Sequence, residues 1–171
     1  VYIASADSST VRVERPESGR TDQFIVPAGT VRHLDLEQTV EFQIPETVQR
    51  KSIHITSDKP VSVYSASLML RHSDASIVLP TAALGKRHVT VGYNFQPPDE
   101  HYVSLATEAE TDVSIVPYAL TSTQRTGGVP FTIRLEKGET YAVRSGITGA
   151  FGGLTGSTVD ARLAVHTGSS V

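Results

Sequence analysis

Ser, His and acidic side chains are all abundant here, with six histidines, and these are the residue types that nucleophilic catalysis requires. The chemistry also needs a base within hydrogen-bond reach of the hydroxyl, and no local spacing supplies one. A Gly-x-Ser-x-Gly elbow is missing, and Gly153-Leu154-Thr155-Gly156-Ser157 does not reproduce it. A hydrolase would therefore need a site dispersed over loops, and no catalytic residue is assigned.

Metal chemistry has three candidate groupings. His33 and Asp35 stand two apart, as do His72 and Asp74 around Ser73. On a strand such pairs share one face and offer two ligands to one ion. Neither pair has a recognisable third ligand, so no metal site is expected. Glu108, Glu110 and Asp112 also alternate, but the EF-hand pattern is missing and they read as a solvated acidic edge. Gly127-Gly128 and Gly152-Gly153 precede no helix start, and Gly-Lys-Ser/Thr does not occur, so these glycines read as loop hinges and not as a phosphate cradle. No cofactor is expected.

Recognition has better candidates. Tyr93, Phe95, Tyr118 and Phe151 each stand beside Gly or Pro or inside an expected turn. Aromatic rings at turns give large contact area at small entropic cost. These four residues form the expected binding surface, toward a protein or a glycan.

The elements that must carry these residues are strands. Of 171 residues, 20 are Val, 9 Ile and 19 Thr, while Cys and Trp are absent. Side chains of this kind fit a pleated surface. The length suffices to bury a core, and the 39% hydrophobic content argues against disorder. A net charge of −3 with scattered Arg and Lys gives no basic field for nucleic acid. Apolar runs fall far short of the roughly 20 residues a membrane-spanning helix needs. The absence of Cys removes disulfides and thiol chemistry but does not fix the compartment. Asn94, the single Asn, is outside any glycosylation sequon. Because Val1-Tyr2-Ile3-Ala4 already reads as a strand, the chain reads as part of a larger protein with other domains.

Period-two alternation recurs at Val11 to Val13, Val40 to Ile44, Ile53 to Ile55, Val61 to Tyr64, Val89 to Val91, Val113 to Ile115, Phe131 to Leu135 and Tyr141 to Val143. Turn chemistry separates these runs at Pro16 to Gly19, Pro27 to Gly29, Ser57 to Pro60, Gln96 to Asp99, Glu136 to Gly138 and Phe151 to Gly153. The only helical turn expected is Thr81 to Gly85, behind Pro80.

The order also repeats. Val11 to Val13 has a counterpart in Val113 to Ile115, Phe24 to Thr30 in Ile133 to Glu139, and Asp58 to Ser67 in Asp160 to Ser169. The expected fold is all-β: two tandem related antiparallel β-sandwich units, the first over 1–100 with a bridging segment at 68–100, the second over 101–171. Pro97-Pro98 cannot continue a ladder, which places a turn there. The expected core is Ile3, Val11, Val13, Ile53, Ile55, Val61, Val63, Val78, Leu84, Val113, Ile115, Ile133, Leu135, Val143, Leu163 and Val165.

One segment carries a family pattern. Ile55-Thr56-Ser57-Asp58-Lys59-Pro60-Val61-Ser62-Val63-Tyr64-Ser65 is followed by Asp74, by Val78-Leu79-Pro80-Thr81-Ala82-Ala83-Leu84-Gly85, and by His88-Val89. Together with Phe131 to Tyr141 and Leu154 to Thr158, this resembles the N-terminal domain of the IgG-Fc-binding protein family. The resemblance implies a non-enzymatic, extracellular or cell-surface recognition and adhesion module within a larger secreted protein. No contact motif can be carried over to particular residues here. A spacer without a binding face is the remaining alternative.

Overall fold

The computed structural model describes residues 1–36, 44–68, 73–92, 101–106, 109–146 and 153–170. Its strands run β1 (Tyr2–Ser5), β2 (Ser9–Arg15), β3 (Arg20–Val26), β4 (Thr30–His33), β5 (Val48–Gln49), β6 (His54–Ser57), β7 (Val61–Leu68) and β8 (Ser73–Val78). They continue with β9 (Arg87–Val89), β10 (His101–Ala106), β11 (Thr111–Val116), β12 (Phe131–Leu135), β13 (Thr140–Arg144), β14 (Thr158–Ala161) and β15 (Val165–Ser170). The one helical element among the described residues is a 3-10 turn at Thr81–Ala83. The fold is all-β. Two compact units emerge: Val1–Glu41 with Lys51–Pro80, and Phe42–Arg50 with Thr81–Val171.

In the first unit one sheet has the order β4-β1-β7-β8 and the other β3-β2-β6. Alternation along β2 buries Ser9, Val11, Val13 and Arg15 and turns the residues between them outward. Ile3 and Val63 from the larger sheet meet Val11, Val13 and Val26 from the smaller one, with Phe24, Leu34, Ile53, Ile55 and Val61 packed around them. Removing this apolar surface from water drives the two sheets together. Asp58 closes the loop after β6: its carboxylate accepts the Thr10 N–H at 2.7 Å and the Ser9 hydroxyl at 3.1 Å. The buried Arg15 is neutralised by Asp22. Val78, expected in the core, is 39% exposed. It sits on the outermost strand of a four-stranded sheet opposed by three, so no strand among the described residues covers it.

The second unit pairs a sheet of order β15-β10-β13-β5 with one of order β12-β11-β14-β9. Val113, Ile115, Leu135 and Val159 from one side pack on Tyr141, Val143 and Val165 from the other, with Leu154 between strands. Thr140, Tyr141, Ala142 and Val143 are buried consecutively, so β13 is covered on both faces. Of residues 68–100, β8 pairs with β7 and β9 pairs with β14.

The two units share connectivity. The three-strand sets β4-β1-β7 and β3-β2-β6 of the first have the same order as β13-β10-β15 and β12-β11-β14 of the second. Turns agree too: Thr30 N–H donates to Pro27 O and Glu139 N–H to Glu136 O, each around a glycine at positive φ, Gly29 or Gly138. The Asp58 N–H bonds Thr10 O where the Arg162 N–H bonds Asp112 O. The residue in the place of Asp58 is thus Arg162, two positions along from the Asp160 that sequence alignment pairs with it.

Candidate binding surface

Tyr118 follows Pro117, which ends β11 because proline has no N–H for the ladder. The loop it opens is closely tied. Gly128 N–H bonds Pro117 O at 2.7 Å, Thr121 N–H bonds Arg125 O at 3.0 Å, and Gly146 N–H bonds Leu120 O at 2.8 Å. A side chain on Gly127 would lie 2.7 Å from Tyr118 O and 2.9 Å from Ala119 Cα, so only glycine fits where the loop crosses itself. Tyr118 N–H is held by the Ser157 hydroxyl at 2.9 Å. These bonds fix the tyrosine on a stiff base.

Tyr118 remains 68% exposed. It lies over Gly156, where an added Cβ would be 3.4 Å from the ring. Gly156 N–H bonds Thr90 O at 2.9 Å, and the buried Thr90 hydroxyl donates toward Leu154 O and Ser157 O. Thr90 turns inward, so its neighbours Val89 and Val91 turn outward and are 66% and 76% exposed. Tyr118, Val89 and Val91 therefore project from one rigid framework. Beneath it, a cavity of about 10 Å³ lined by Ile115, Tyr141, Val143 and Val159 has room for about one water. Organic ligands need pockets of roughly 300 Å³ or more, so this arrangement offers a surface and not a pocket.

Of the other expected surface residues, Tyr93, Phe95 and Phe151 lie outside the described residues. His33 pairs with Asp35 at 3.2 Å and stacks on Tyr2 with ring centroids 4.6 Å apart, so each group of the pair engages the other. His72 and Glu108 lie outside the described residues. Glu110 and Asp112 both meet Arg134, whose guanidinium holds the Glu110 carboxyl below its usual range. Among the described residues no group of three His, Asp or Glu is placed to hold a metal ion.

Two features escaped the sequence reading. On the outer face of β4-β1-β7-β8, the cross-strand register aligns His33, Tyr2, Tyr64 and Ile77 in one row. Tyr64 and Ile77 are 47% and 56% exposed. The signal was present in the alternation of β7, but the partners come from distant strands. The second feature is Glu46, whose side chain is 2% exposed and whose φ is +54°. Arg125 Nε donates to it at 2.7 Å, and the same guanidinium lies 4.0 Å over Phe131. Burial and then the Glu46 charge push the Tyr141 hydroxyl up from its ordinary pKa. This cluster clamps β5 onto β13, with Glu46 N–H bonding Ala142 O at 2.7 Å and the Thr140 hydroxyl bonding Gln49 O at 2.9 Å.

The family model described as IgGFc binding protein matches residues 74–171. The chain belongs to the IgGFc-binding protein family. The match takes in Val78 to Gly85, His88-Val89 and the whole Tyr118 framework, while Ile55 to Ser65 lies ahead of it. Domains of this family occur in extracellular proteins. No curated protein and no solved structure matches the chain. None of the helices among the described residues is long and apolar enough to cross a membrane.

Proposed function

We propose that this chain is a non-enzymatic recognition and adhesion module of a larger extracellular protein, and that it binds a protein partner through the apolar surface around Tyr118. The observation that carries this reading is a stiffly held, largely exposed tyrosine flanked by two exposed valines within the family-matched residues. Preorganised aromatic and aliphatic side chains make strong contact centres because little freedom is lost on binding. Tyr93, Phe95 and Phe151, outside the described residues, are proposed as further binding residues. The two units are proposed to be copies of one β unit, which their common strand order and turn bonds support.

The test is binding of the chain to immobilised IgG Fc, to a panel of other secreted proteins and to a glycan array, with Tyr118→Ala beside the unaltered chain. A protein ligand whose affinity falls about tenfold or more in Tyr118→Ala, with unfolding unchanged, supports the reading. Glycan binding in place of protein, or protein binding indifferent to Tyr118, contradicts it.

A further inference from the structure

The outer edge of β4 lacks a neighbour among the described residues, whereas the strand in its place in the second unit, β13, is covered by β5. The edge of β4 is open in a specific way. Val1 and Leu34 exchange both backbone bonds, and Gly29 N–H bonds Ser5 O. Antiparallel alternation then turns the N–H and C=O of Val31 and His33 away from β1, toward the open side. All four residues of β4 are exposed, Val31 at 63%. Proline and bulges, which block pairing at many edge strands, are absent from Thr30-Val31-Arg32-His33, and its one charged residue is Arg32.

Beside that edge stands a charge without its complement. Arg32 lies 5.1 Å over the Phe24 ring of β3 and has no carboxylate partner among the described residues. In the second unit the matching side of the sandwich has Arg125 over Phe131 of β12, and there the guanidinium receives Glu46, the acid that β5 brings with it. An arginine over an aromatic ring thus stands beside the corresponding strand edge in each unit, although the residues are not counterparts, since Phe24 matches Ile133 in register and Arg125 comes from the loop after β11; only in the second unit does a described acid meet it.

We infer that the β4 edge, with Arg32 and Phe24, is a docking site for an extended acidic strand of another protein, which would add to the sheet by backbone pairing and place a carboxylate on Arg32. Recognition of this type takes affinity from the main-chain bonds and selectivity from the side-chain contact. It involves a different surface from Tyr118 and does not depend on the reading proposed for it.

The probe is a labelled peptide with the sequence of residues 44–50 (Ile-Pro-Glu-Thr-Val-Gln-Arg), which already fits the equivalent edge. It is titrated onto the full chain by fluorescence anisotropy, with amide exchange followed at Val31 and His33. The chain's own β5 keeps its place on β13, because a tethered segment competes at an effective concentration on the order of millimolar. Expected are saturable binding, protection of Val31 and His33, and about tenfold weaker affinity for Arg32→Ala or for a peptide with Glu46→Gln. Val31→Pro, which removes an outward N–H while leaving the bonds to β1, should abolish binding. Tyr118→Ala should leave it unchanged. No binding at about 1 mM peptide, or binding indifferent to Arg32 and the peptide glutamate, would overturn the inference. Concentration-dependent self-association through the same edge would also overturn it, by making a second copy of the chain the occupant.

Discussion

Val11, Val13 and Val26 in the first unit and Val113, Ile115 and Leu135 in the second hold the same places in the same strand order, and all six are buried. Even the polar positions correspond: Ser9 faces Val26 and Thr111 faces Leu135, both within the core. The units part company at their margins. The second gains β5 beside β13 and β9 beside β14, and among the described residues its buried apolar cluster has eight members against five. In the first unit β4 and β6 have no further strand outside them among the described residues. The comparison teaches that alternating apolar residues suffice to set the sandwich, while the flanking segments decide how much is buried and which edges stay open.

The core correspondence can be broken first. Leu135→Ala should destabilise the second unit by about 2–5 kcal/mol, and Val26→Ala the first by about 2 kcal/mol. Urea titration with hydrogen exchange read separately in each unit checks both. A small loss at either position would mean that it is not a core site.

The margins give a sharper contrast. Arg125→Ala leaves the buried Glu46 carboxylate without its cation and should cost about 1–3 kcal/mol, with lost exchange protection along β5 and β13. Arg32→Ala, on the exposed edge of the first unit, should change stability by less than about 0.5 kcal/mol. If the two arginines cost the same, the clamp on β5 is not the source of the difference.

The smallest effect is in acid. Glu14 is held below its usual pKa chiefly by its hydrogen bond from His54, Asp22 by Arg15, and Asp58 by the Thr10 N–H. In the second unit Glu110 is lowered, chiefly by its hydrogen bond from Arg134. A carboxylate with a depressed folded pKa contributes stability above its unfolded pKa and loses it as pH falls through the folded value. The first unit should therefore lose more exchange protection than the second below the ordinary carboxylate range, by a modest amount because these groups are exposed. Asp58→Asn should reduce that extra sensitivity.

Much of this architecture was legible in the sequence, and the failures are physical. Alternation marked β2, β11 and β12 because one face of each is buried and the other wet. Asp58 and Pro60 signalled a turn through chemistry local to the chain. The two residues of β5 carry no such signal, since Val48–Gln49 becomes a strand only by pairing with β13 far along the sequence. Glu46 drew no notice in the sequence because its burial depends on a distant arginine. Val78 looked like core because alternation reports which face a residue takes and not whether anything lies opposite. Tyr118 was found from its place beside Pro117, but the loop bonds that stiffen it could not be read there.

The most direct measurement is a hydrogen-exchange footprint of the intact chain with a bound protein ligand, IgG Fc being the first to use. The account predicts added protection at residues 89–92 and 117–128, lost together with affinity in Tyr118→Ala. Protection confined to other strands, with residues 89–92 and 117–128 unchanged, would contradict it.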